Sequence, residues 1–270
     1  MGAGVSLPIA IQLYSVRDTM QKDPEGTLIP LKEMGYSAVE FAGFYGRTAQ
    51  EMHKLCDRVG LIPISSHIGF PSIRDELDRH IEESVALGVK YVGISYMHTD
   101  YHIGGASHES VYESIKEISA RFREKGITLL YHNHSFEMCE YEGKRLYEWL
   151  FESMTPEELQ PEIDTGWIDV EVGETEKYIL AFKNRCDLVH LKSYYGKEGY
   201  DDLVHSTNEI KPREFYYFCN FECGRLDVPA IVKAAEESGA KWLVVEQDRP
   251  DPDLSELESA RINIEFLKNM

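Results

Sequence analysis

Short apolar runs alternate with stretches of helical periodicity from one end of the chain to the other. Residues 8–13 (PIAIQL) form an apolar run that gives way to polar Gln12 and Tyr14, which predicts a first strand. Residues 24–34 then carry Leu28, Leu31 and Met34 at helical spacing, and Gly35 follows where a helix-ending glycine belongs. The same beat recurs. Strands are expected over 38–41, 61–65 and 89–95, and helices over 48–59, 73–87 and 109–125, each helix followed by a glycine (Gly60, Gly88, Gly126). In the second half, strands are expected over 126–130, 161–164, 187–192 and 242–246. The helices there are expected over 146–154, 175–182, 228–238 and 254–267.

Eight strands, each followed by a helix, suit right-handed βαβ crossovers and close into a (β/α)8 barrel of the α/β class. An open doubly wound sheet is disfavoured, because no G-x-G-x-x-G follows the first strand. One TIM barrel domain spanning residues 1–270 is therefore expected. The stretch 193–227, after strand seven, is about twice the usual loop and carries Phe215, Tyr216, Tyr217, Phe218 and Phe221. Loops this long are lids or binding loops, or lobes that pack on a neighbouring subunit. The latter makes a homo-oligomer an open expectation.

Composition narrows the partners. A formal charge of -19 argues against electrostatic binding of nucleic acid. No apolar stretch approaches the roughly 20 residues of a membrane span. Residues 1–6 lack the basic and apolar segments of a signal peptide. Five scattered cysteines (Cys56, Cys139, Cys186, Cys219, Cys223) read as reduced thiols of a cytoplasmic protein. Cys219 and Cys223 lack the second Cys/His pair that a structural zinc site needs.

In a barrel of this kind the chemistry lies where the strands end. Tyr131-His132-Asn133-His134-Ser135-Phe136-Glu137 closes strand five and is too polar to continue it. The ends of the last four strands offer Glu137, Asp164, His190 and Glu246. One such residue alone is more often a salt-bridge partner or a cap, but four on consecutive strands are hard to ascribe to chance. Their net charge of -3 calls for a cation, since unpaired buried carboxylates otherwise protonate or repel. Mixed oxygen and nitrogen donors suit one divalent ion, Mn²⁺ first, with Zn²⁺, Co²⁺, Fe²⁺ or Mg²⁺ also acceptable. The catalytic set expected is His134 as a proton carrier with His132, Glu40 or Glu246 as the second, beside the ligands Glu137 and Glu246. His67 and His98 close strands three and four. Gln12 and His67 suit hydroxyl groups, and Trp167 offers an apolar face for a sugar ring. Lys192, on the same side of its strand as His190, suits an oxyanion or a phosphate.

These strings together resemble the sugar phosphate isomerase/epimerase family, the xylose isomerase-like barrels. The resemblance runs from Gln12-Leu13-Tyr14-Ser15-Val16-Arg17 through Val39-Glu40-Phe41, Ser66-His67 and the Tyr131 to Glu137 motif. It continues through Ile163-Asp164-Thr165-Gly166-Trp167 and Val189-His190-Leu191-Lys192 to Val245-Glu246-Gln247-Asp248. It implies one divalent metal held by Glu137, Asp164, His190 and Glu246. It also implies an isomerase or epimerase acting on a sugar or sugar derivative, by proton abstraction next to a carbonyl through a metal-bound enediolate. The plain epimerases place their first carboxylate at the end of strand five, where this chain has Tyr131 and His132. That YHNH branch resembles inosose dehydratases and enzymes of 3-keto sugars and 3-keto glycosides, so the alternative is a lyase with the same metal site. A non-catalytic carbohydrate-binding barrel is the third reading. The apurinic-site endonucleases of the superfamily need a second histidine three residues after Asp164, where this chain has Trp167.

Overall fold

In the computed structural model, which describes residues 5–197 and 216–270, eight parallel strands close into a barrel. They are β1 (Ile9–Gln12), β2 (Ala38–Phe41), β3 (Ile62–Ile68), β4 (Tyr91–Ile94), β5 (Thr128–His132), β6 (Gln160–Asp164), β7 (Leu188–Leu191) and β8 (Trp242–Val245). Neighbours pair in chain order, and β1 closes the ring against β8 with Ile9 opposite Leu243 and Ile11 opposite Val245. Every strand meets the position expected from the apolar runs. Four of the intervening helices end on Gly35, Gly60, Gly88 and Gly239, whose positive φ angles of 108°, 82°, 81° and 85° reverse the chain into the next strand.

Alternation along the strands makes two cores. Outward residues such as Ile11, Val39, Val92, Leu129, Ile163, Val189 and Val245 pack against the helices. Inside the barrel, Ala10, Ala38, Ile64, Tyr91, Leu130, Leu188 and Val244 form a separate apolar plug. The plug fills one end of the barrel, and the strands continue past it.

The structure departs from the expected elements in several places. β3 runs on to Ile68 rather than stopping at residue 65, because Ser65, Ser66 and His67 pair with β4 although they are polar. The helix expected over 73–87 is two helices, Phe70–Asp75 and Leu77–Leu87, separated at Glu76, whose φ of -132° is not helical. A helix, Thr165–Glu171, follows β6 directly. The long stretch after β7 contains an antiparallel hairpin, Ser193–Gly196 with Tyr216–Cys219. Phe215 lies outside the described residues. Among those residues no helix is long and apolar enough to cross a membrane.

Candidate metal centre

Two residues beyond the plug, the strands turn from apolar to polar without changing face. Ala10 is followed on its face by Gln12, Ala38 by Glu40, Leu130 by His132, Leu188 by His190 and Val244 by Glu246. β6 contributes two acids to this face, Glu162 and Asp164, and β3 contributes His67 past a register irregularity. β4 contributes Gly93, and its lack of a side chain is what lets the others meet. A Cβ there would stand 2.7 Å from His67 Cδ2 and 3.0 Å from Glu162 Oε2.

The deeper layer is an ion-paired ring. His67 Nε2 lies 2.6 Å from Glu162 Oε2 and 3.1 Å from Glu40 Oε1. His190 Nε2 lies 2.9 Å from Glu40 Oε1 and 3.4 Å from Glu162 Oε1. Gln12 donates its amide to Glu40 at 2.7 Å and accepts the Tyr14 backbone N–H at 3.0 Å. Gln12 is therefore spent on Glu40 rather than turned to the cavity.

The upper layer opens towards solvent. His190 Nδ1 sits 2.9 Å from Glu246 Oε2, and His132 Nε2 sits 3.8 Å from Asp164 Oδ2 and 3.9 Å from Glu246 Oε2. The donor atoms of His132, Asp164, His190 and Glu246 all lie within 4.8 Å of one another, and all four residues are buried. Ligands about 2.1 Å from a shared ion stand roughly 3–3.5 Å apart, so closing on one requires a small contraction. Asp164 Oδ2 is ion-paired with Lys192 at 3.0 Å, and the His132 nitrogen that faces the group is Nε2, its Nδ1 lying 3.7 Å from Glu162 Oε2. Two imidazoles and two carboxylates fit a divalent transition ion. A second group, His67, His132, Glu162 and His190, has comparable spacing, but its Glu162 is already closed onto His67.

Glu137, expected as the fourth ligand, stands in neither group. Tyr131 and His132 are neighbours on β5 and point to opposite faces. Tyr131 packs outward against Phe151, 6.4 Å between ring centroids, and Glu137 follows it. The Glu137 carboxylate accepts the Tyr131 hydroxyl at 2.5 Å and the His134 backbone N–H at 2.8 Å. His132 takes the place in the four-residue group. His98 is also elsewhere, exposed and paired with Asp100. Glu40 belongs to the deeper ring.

Residues 29–270 fit the model described as the xylose isomerase-like TIM barrel. The chain belongs to that family. Among solved xylose isomerase-like barrels, a sugar phosphate isomerase/epimerase from Parabacteroides distasonis superposes with a TM-score of 0.77 at 20% identity, over 97% of each chain. An L-ribulose 3-epimerase gives 0.68 at 14% identity, over 97% of this chain and 93% of that one. The IolI protein, described with a bound zinc atom, gives 0.68 at 14% identity over 96% of each. At these identities the likeness is one of fold. No curated protein matches the chain by sequence.

Electrostatics within this xylose isomerase-like barrel follow from burial set against pairing. For His190, burial opposes the charged ring, but Glu40, Glu162 and Glu246 outweigh it and hold its pKa well above the ordinary value. His67 is likewise raised, against burial, by Glu40 and Glu162. His132 is the reverse case. Burial and then the neighbouring charge on His190 and His67 hold it well below the ordinary value. Burial lifts Asp164 to about 6 despite Lys192, and Glu246 adds to the rise. Glu246 itself falls below the carboxylate range, because Lys192 and His190 overcome its burial.

A cavity of about 430 Å³ opens over the upper layer, lined among others by His67, His132, His134, Trp167, Lys192 and Glu246. Trp167 is placed there by Asp164, whose Oδ1 accepts the Trp167 N–H at 3.0 Å and so caps the Thr165–Glu171 helix. Phe218, from the hairpin after β7, stands edge-on to Trp167 at 4.7 Å. The His134 ring lies 5.2 Å from His132 and 5.4 Å from Trp167. Lys192 lies among Asp164, Glu246 and Asp248 at 3.0, 3.2 and 2.9 Å. The strand-end reading missed Glu162 and Asp248. Each stands two residues from a predicted ligand, Glu162 on the same face of β6 and Asp248 in the irregular segment past β8, and that spacing was the available signal.

Proposed function

We propose that this chain is a divalent-metal-dependent isomerase or epimerase of a sugar or sugar derivative. The observation that carries the reading is the buried set His132, Asp164, His190 and Glu246, drawn from four consecutive strands, beneath a cavity that His134 and Trp167 line. A cation bound there supplies positive charge to neighbouring substrate oxygens, which acidifies the C–H beside a carbonyl. The residues around it do the rest. Trp167 gives the substrate ring an apolar wall, with Phe218 behind it. His134 takes and returns the proton at an imidazole nitrogen, and Glu246 is its partner on the other side of the reacting carbon. His67, Glu40, Glu162 and Gln12 hold His190 from below and fix which of its nitrogens faces the upper layer. Mn²⁺ is the ion proposed, and the zinc of the IolI structure makes Zn²⁺ its main competitor.

A second reading, a lyase that eliminates a β-substituent after the same proton loss, is favoured by one feature. His132 stands at the end of strand five, as in the YHNH branch resembling inosose dehydratases and enzymes of 3-keto glycosides. One experiment addresses both. The Mn²⁺-loaded protein is incubated in D₂O with ketoses, inososes and 3-keto glycosides, and C–H exchange and products are followed by NMR. Exchange abolished by chelation and by His134→Ala supports the proposal, and product identity separates isomerisation from elimination. Exchange with none of these substrates would refute it and leave a carbohydrate-binding barrel.

A further inference from the structure

Lys192 is buried, and its ammonium faces three carboxylate oxygens, Asp164 Oδ2, Glu246 Oε2 and Asp248 Oδ1, at 3.0, 3.2 and 2.9 Å. An ammonium has three N–H donors and no more, so three acceptors exhaust it. Two of those oxygens belong to the group suited to a divalent ion. The same oxygens cannot hold both cations closely, because like charges a few ångströms apart in a dry site repel strongly.

The lysine is placed there by its surroundings. Thr165 Oγ1 accepts the Lys192 backbone N–H at 3.1 Å. Gly166 leaves space for the stem: a Cβ there would stand 2.8 Å from the Lys192 carbonyl oxygen and 2.9 Å from its Cγ. From the same position the ammonium also faces two aromatic rings. Nζ lies 5.2 Å from the Trp167 ring centroid and 5.0 Å from that of Phe218, distances at which an aromatic face attracts an ammonium. Asp248, the third acceptor, lies outside the ligand group.

We propose that Lys192 is a built-in counter-cation that competes with the divalent ion for Asp164 and Glu246. Metal loading turns its ammonium onto Asp248 and the Trp167 and Phe218 rings, where an N–H becomes available to a substrate oxygen in the cavity. The lysine thus neutralises the carboxylates before the metal arrives and joins the substrate side afterwards. This rests on the assignment of His132, Asp164, His190 and Glu246 as the ligands.

Zn²⁺ and Mn²⁺ affinities, measured by competition with a chromophoric chelator, test it. Lys192→Gln and Lys192→Met are expected to bind at least about tenfold more tightly than wild type, and Lys192→Arg, which keeps the charge, within about threefold. Equal or weaker binding by folded Lys192→Gln would overturn the competition. A crystal structure of the metal-loaded wild type gives an independent check. Nζ should have left Asp164 and Glu246 for Asp248, and finding it still against both would overturn the exchange. His190→Ala separates this inference from the one beneath it. If that variant binds metal as tightly as wild type, the ligand assignment falls and the competition with it. If it loses metal while Lys192→Gln gains nothing, only the role of Lys192 falls.

Discussion

Replacing Gly93 with alanine asks whether the deeper ring of the centre depends on an empty position in β4. The added methyl would meet His67 Cδ2 at 2.7 Å and both His67 Nε2 and Glu162 Oε2 at 3.0 Å. Neither neighbour is a flexible end that can swing aside, because His67 and Glu162 are bonded to each other at 2.6 Å and hemmed in by Glu40 and His190. Forcing a methyl into such a core costs about 1–3 kcal/mol. Parting a buried hydrogen bond between charged partners costs about 1.5–3 kcal/mol more. At about 2–4 °C per kcal/mol for a chain of this size, Gly93→Ala is expected to unfold roughly 5–25 °C below wild type by far-UV circular dichroism. Gly69→Ala is the matched control, since nothing lies within 4 Å of the added carbon and φ there is -65°. Its midpoint should move by no more than about 2 °C. A Gly93→Ala protein that melts with the control would show that the ring does not need the space.

Glu137→Gln should keep its bound metal, whereas His190→Ala should lose it, as read by elemental analysis of dialysed protein. Burial raises Glu137 to about 7, with the Tyr131 hydroxyl only partly opposing the rise. The native state therefore holds a proton that the unfolded chain releases from about pH 4.5 upward, and this group's contribution to stability falls as pH rises through that window. Glu137→Gln removes the effect, so its midpoint relative to wild type should climb between about pH 5 and 8, and a flat difference would contradict the assignment. Asn133→Ala should cost about 2–4 kcal/mol in a denaturant titration, because the Asn133 amide accepts from Asp164 N at 2.9 Å and donates to Asp164 O at 3.3 Å in a buried position.

The barrel was legible because each strand carries its own apolar signal and four helices announce their ends with a glycine. What decides the centre was legible only in part. Asp164, His190 and Glu246 come together because a strand end fixes both height and face. Glu137 was misleading for a local reason. It follows a short irregular turn, where no periodicity tells which side of β5 the chain takes, and the Tyr131 hydroxyl and His134 N–H draw it outward. His132 was in view as a proton carrier, but its place among the ligand group depends on where β5 stands relative to β6 and β7. The helix after β6 was invisible because its first turn, Thr-Gly-Trp, is poor in helix formers, and the Asp164 cap that starts it was read as a ligand alone. Gly93 carries no sequence signal at all, since a glycine in a strand reveals what it makes room for only when the opposite strands are placed.

Asp164 divides its two oxygens between two structures, one facing the ligand group and the other holding the Trp167 N–H. The backbone beneath the proposed apolar wall is thereby tied to the same side chain as the proposed centre. That bond ties the Trp167 backbone N–H, rather than its ring, to Asp164. A change of substrate in this scaffold is then easier by remodelling Phe218 and the hairpin behind it than by moving Trp167. Any drift of Trp167 would be felt at Asp164.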